Sequence, residues 1–144
     1  MQNILVATDG SEAANRAIDT AAKLAIAMNG ILIIVTVGVA LTEAERKQFH
    51  QFAQLEGLAD VSETLAQRTL HEAEQQARRA GVKSAKPLLI WGDPAQKIIE
   101  TIRLEHIDAV VVGRRGRGQL SGLLLGSVSQ KLCSLASCVV IVVP

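Results

Sequence analysis

The chain has 144 residues, 49% of them apolar and 20% charged, a composition that excludes a disordered or low-complexity protein and suits one domain. A chain of this size buries about 70% of its unfolded surface and needs no disulfide or metal to fold. Fifteen basic residues against fourteen acidic ones leave a formal charge of +1, so any anion site must be local rather than a whole basic face.

Two phenylalanines, one tryptophan and no tyrosine leave little for stacking on unpaired bases, which argues against a nucleic-acid partner. The start, Met1-Gln2-Asn3, carries no charged side chain and its apolar run ends at Ala7, so no signal peptide is expected. The longest apolar run, residues 138–143, is far short of a membrane span. Cys133 and Cys138 match neither a redox nor a zinc pattern and read as reduced core thiols of a cytoplasmic protein.

In chain order, residues 3–8 form a short continuous apolar run, the mark of a buried strand, ended by Asp9-Gly10. Ser11 then caps a helix with Ala14, Ala17, Ala21, Leu24 and Met28 on one face, and Asn29-Gly30 ends it. Residues 31–37 are a second buried strand. Thr42 and Glu45 have capping-box spacing, which predicts a short helix carrying Phe49 and Phe52 that stops at Gly57. A longer helix over 61–80 follows, with Ala66, Leu70, Ala73, Ala77 and Ala80 inward and Gly81 closing it.

The strand at 85–91 contains Pro87, which cannot donate to a ladder, so it belongs at a sheet edge. Asp93-Pro94 opens a helix in cap-then-first-position order, with Ala95, Ile98, Ile99 and Ile102 inward. A fourth strand at 109–112, a helix at 127–136 and a fifth strand at 138–143 complete the chain. Five buried strands separated by helices predict an α/β fold, a single five-stranded parallel sheet with helices on both faces. With the third strand at an edge, the order 3-2-1-4-5 puts the reversal between strands one and four, where ligands bind.

The segment leaving the fourth strand is the most unusual in the chain. Five of the eleven glycines fall among residues 113–127, together with Arg114, Arg115 and Arg117. Glycines let backbone N–H groups turn toward a phosphate, and the helix start at Ser127-Val128-Ser129 favours an anion. Neither G-x-x-x-x-G-K-[ST] nor G-x-G-x-x-G is present.

Gly113-x-x-Gly116, nine residues, then Gly126-Ser127 resembles the G-2x-G-9x-G-[ST] motif of nucleotide-binding universal stress proteins. The resemblance extends to the opening from Ile4 to Ser11, the turn Gly92-Asp93-Pro94-Ala95 and the ending from Val139 to Val143. It implies one universal stress protein domain over residues 1–144, with the adenine nucleotide alpha hydrolase-like fold. It implies ATP, accompanied by Mg²⁺, as the ligand. By the match, Gly113, Gly116, Gly126 and Ser127 line the ribose and phosphates, Asp9 lies near the adenosine and Val37 beside adenine. With Ala7, Thr8, Arg114, Arg115, Val128 and Ser129 of the same loops and helix start they make up the expected binding set. Arg114 stands where the family frequently has a small residue.

Asp9 also has capping-box spacing to Glu12, and Ser127 is also a natural helix cap. His50, His71 and His106 show no metal-ligand spacing and read as surface residues. No serine has a His-Asp arrangement or a G-x-S-x-G context, so the set contains no catalytic and no metal-binding residues. The last strand, from Cys138 to Val143, lacks a charged blocker and invites pairing with a second copy as a homodimer. Three functions stand open here: an ATP-binding stress-response regulator without membrane or nucleic-acid partners, a slow ATPase or adenylyl-transfer enzyme using the same pocket, and a nucleotide-free interaction module.

Overall fold

The computed structural model describes residues 1–39, 55–116 and 125–144, with residues 55–61 as backbone. Strand β1 (Asn3–Ala7) leads to α1 (Glu12–Met28) and β2 (Ile31–Gly38), then α2 (Leu55–Arg79) and β3 (Ala85–Trp91). Helix α3 (Pro94–Leu104), β4 (Ala109–Gly113), α4 (Ser127–Leu135) and β5 (Val139–Val143) follow. The sheet has the order β3-β2-β1-β4-β5 with every neighbouring pair parallel. The expected fold is the observed one. Pro87, opposite Ile34, lies on an edge strand as its missing N–H demands.

Among the described residues, each sheet face is covered by two helices. On one side, α1 presents Ala17, Ile18, Ala21, Ala22 and Ala25 to Ile4, Val6, Leu32 and Ile34, with Ala73 and Ala77 of α2 beside them. The small alanine side chains let α1 pack closely on the larger strand residues Ile4, Val6, Leu32 and Ile34. On the other side, Ile98 and Ile102 of α3 and Leu132 of α4 cover Leu5, Ile33, Val35, Val110 and Val112.

The helix ends follow local chemistry. Asn29 takes the left-handed conformation at φ 50° that ends α1. Gly30 is needed for space rather than dihedral freedom, because a Cβ there would stand 2.7 Å from Gln2 O. Gly81, at φ 106°, closes α2 as expected. Gly57 does not stop a helix: α2 begins at Leu55 and runs through it. One interior glycine costs a helix only about 1 kcal/mol against alanine, too little to break a long amphipathic segment. Ala80 is exposed beyond the last turn, and Val82 is the buried residue there. The capping box of Thr42 and Glu45, with Phe49, Phe52 and His50, lies outside the described residues.

The cysteines depart from expectation. Both are free thiols, but Cys133 is exposed and Cys138 half-buried. Leu132 takes the inward position of α4, so its neighbour is turned about 100° away. Burial pushes the Cys138 thiol above its ordinary range. His71 and His106 are at the surface, as expected.

Candidate functional site

A cleft of about 380 Å³ opens beyond the carboxyl ends of β1 and β4, where the strand order reverses. All twelve residues of the expected binding set line it. Its inner part is apolar, formed by Ala7, Val35, Val37, Ile98 and Val112. Its rim is polar, from the turn after β1 on one side and the glycine loop on the other.

The first rim is locked by short-range hydrogen bonds. The Thr8 amide continues the ladder to Val35 O at 2.9 Å, and Gly10 N donates to Thr8 Oγ1 at 3.1 Å. Asp9 Oδ1 accepts from Ser11 N at 2.9 Å, an Asx turn that Gly10 permits at φ 81°. Ser11 is the cap of α1, its Oγ accepting from Ala14 N at 3.2 Å. The Asp9–Glu12 capping box does not form, because Asp9 sits two residues too early and spends Oδ1 on the turn.

The glycines of the second rim serve close approach. A Cβ on Gly113 would lie 3.0 Å from Ala13 C and 3.1 Å from Ala14 N, against the backbone of α1. One on Gly116 would run into Asp9 Oδ2. One on Gly126 would meet Arg114 O at 3.2 Å and Arg115 Cα at 3.3 Å. The two arms of the loop therefore touch backbone to backbone. Gly126 N donates to Arg114 O at 2.7 Å, and Arg114 N donates to Val143 O at 2.6 Å.

Gly126, not Ser127, is the cap residue of α4, and it makes no side-chain cap hydrogen bond. Ser127 is its first residue and is exposed on the cleft. Ser129 is buried, and its hydroxyl is directed to Arg114 O at 2.9 Å and Gly126 O at 3.1 Å. The start of α4, with the positive end of its dipole, lines the cleft. Arg114 is exposed, whereas Arg115 is half-buried. Among the described residues, Arg115 Nε is buried with no hydrogen-bond partner, a donor awaiting an acceptor. Arg117 lies outside the described residues.

A family model described as the universal stress protein family matches residues 1–144. The chain belongs to the universal stress protein family. It is 30% identical over 151 residues to universal stress protein YxiE of Bacillus subtilis (strain 168), with 97% of each chain covered. A solved universal stress protein in complex with cAMP is 30% identical at a TM-score of 0.76, covering 99% of this chain and 97% of that one. Universal stress protein UspA from Lactobacillus plantarum, 24% identical at a TM-score of 0.83 over 99% of this chain and 97% of that one, has the same fold.

This universal stress protein cleft also uses residues outside the expected set. Ser11, Ala14, Val35, Val39, Pro94, Ile98, Val112 and Leu125 also line it. The signal for Pro94 and Ile98 was in the sequence: a helix following a parallel strand starts at the same pole as the ligand crevice. Its first turn therefore faces the cleft as well as the core.

Proposed function

We propose that this universal stress protein is a cytoplasmic, ATP-binding regulator that works as a homodimer. The observation that carries the reading is the meeting of an apolar hollow with a donor-rich rim at the sheet's switch point. The hollow beside Val37 suits an adenine ring. Gly126, Ser127, Val128 and the arginines suit the phosphates, and Arg115 Nε, which has no partner among the described residues, is what an anion would satisfy. The relative solved with cAMP supports an adenine nucleotide as the ligand class. No group of three or more His, Cys, Asp or Glu gathers for a metal among the described residues. Mg²⁺ would therefore arrive on the phosphates, with Asp9 the one carboxylate among the described lining residues.

Binding rather than turnover fits this lining, which among the described residues contains neither histidine nor cysteine. Mass spectrometry of gently purified protein tests the reading. Co-purifying ATP is the expected result. Release of phosphate or AMP over many turnovers, lost in Asp9→Ala, would make it a slow ATPase or adenylyl-transfer enzyme instead. Persistent absence of any nucleotide would make it a nucleotide-free interaction module.

A further inference from the structure

Ser127 and Ser129 both belong to the motif region, yet the fold treats them in opposite ways. Ser127 is exposed at the cleft. Ser129 is only 2% exposed, and its one hydroxyl proton is shared between two carbonyls, Arg114 O at 2.9 Å and Gly126 O at 3.1 Å. A hydroxyl has a single proton to give, so Ser129 has none left for a phosphate. Those two carbonyls belong to the two arms of the glycine loop at its neck. Arg114 O also receives Gly126 N at 2.7 Å, and the Arg114 amide is held by Val143 O at 2.6 Å.

We infer that Ser129 is a positioning residue, a clasp that closes the neck of the glycine loop and ties it to the end of β5, while Ser127 is the serine that meets the ligand. Arg114 is gripped on both sides of its Cα by these bonds. Its side chain and that of Arg115 thereby leave the backbone from a fixed point at the cleft. The clasp lowers the cost of ordering the two arginines when an anion binds. Because β5 supplies Val143 O, the edge strand and the cradle share one chain of hydrogen bonds.

The assignment of roles rests on the nucleotide reading, but its structural half can be read without ligand. Amide hydrogen exchange and ATP calorimetry are to be run on the parent chain, Ser127→Ala, Ser129→Ala and Ser129→Thr. Losing one hydrogen bond of ordinary strength corresponds to about fivefold in an opening equilibrium. Ser129→Ala is expected to exchange the Arg114 and Gly126 amides about fivefold faster in the free protein and to bind ATP about fivefold more weakly. Threonine, whose hydroxyl bonds an i−3 carbonyl in helices, restores both. Ser127→Ala weakens ATP binding with exchange unchanged. Weaker binding by Ser129→Ala without faster exchange would make its hydroxyl a ligand contact, and unchanged binding would remove it from the site; either overturns the inference. A parent chain that binds no ATP defeats the nucleotide reading instead, while slow exchange lost in Ser129→Ala still upholds the clasp.

Discussion

Thr36 puts a hydroxyl on the β2 face covered by α1 and α2, two residues beyond Ile34 of that core. It is 5% exposed, and among the described residues its Oγ1 has no hydrogen-bond partner. An unsatisfied buried hydroxyl costs about 1–3 kcal/mol, and valine has nearly the same shape. Thr36→Val should therefore stabilise the protein by about 1 kcal/mol, seen as a higher urea midpoint with an unchanged slope. A lower midpoint would mean that the hydroxyl is satisfied in solution. The motif glycines follow the opposite logic, since the space a Cβ would need is already taken, by backbone at Gly113 and Gly126 and by the Asp9 carboxylate at Gly116. Gly113 is required by the approach of α1 at Ala13 and Ala14, a packing reason that no spacing in the sequence discloses.

Among the elements, β1 depends on a carboxylate more than a hundred residues away. Asp108 Oδ2 accepts from Gln2 N at 2.8 Å and Asn3 N at 2.9 Å, and the Asn3 side chain donates to Glu105 O at 3.0 Å. The Asn3 and Gln2 amides hold the Asp108 carboxyl below its ordinary range. A depressed folded-state pKa contributes stability that is present above the unfolded value, about 3.9 for aspartate. That stability is lost as pH falls through the folded value. Asp108→Asn should be less stable than the parent at neutral pH, the gap closing below about pH 4. Denaturant melts across pH check this, and a gap independent of pH would exclude the carboxylate as its source.

Local chemistry is what a sequence discloses. Strands announced themselves as apolar runs, and Ser11, Asp93 and Gly81 marked helix ends because their chemistry is local. Asp108 and Ser129 were not recognised for these roles because their partners are 105 and 15 residues distant. Gly57 misled because a helix break was inferred from a single residue's propensity. The candidate site was legible as a set because the glycine loop is contiguous. Which glycine, serine or arginine does what was not, since that depends on how the two arms meet.

For the molecule as a whole, β5 is an edge strand. Val139 N donates to Asp108 O and Val143 O accepts from Arg114 N, so these two residues turn their peptide groups toward β4. By the two-residue period, Val140 and Val142 present theirs outward. A proline at Val140 removes an outward donor and leaves the β4 ladder intact. Val140→Pro should convert the proposed dimer to a monomer in light scattering with the circular dichroism unchanged. A parent chain already monomeric at micromolar concentration would contradict pairing through this edge.

In the proposed function, the bare backbone of the glycine loop, set against the start of α4, holds a nucleotide's phosphates. Isothermal titration with ATP tests it most directly, on the parent chain, Gly126→Val and Ser127→Ala. Loss of a charge-assisted contact costs about 1.5–3 kcal/mol, or roughly ten- to a hundredfold in affinity. The expected result is one ATP per chain, weakened at least tenfold in both variants while their folds persist. Equal affinity in all three proteins would contradict the account.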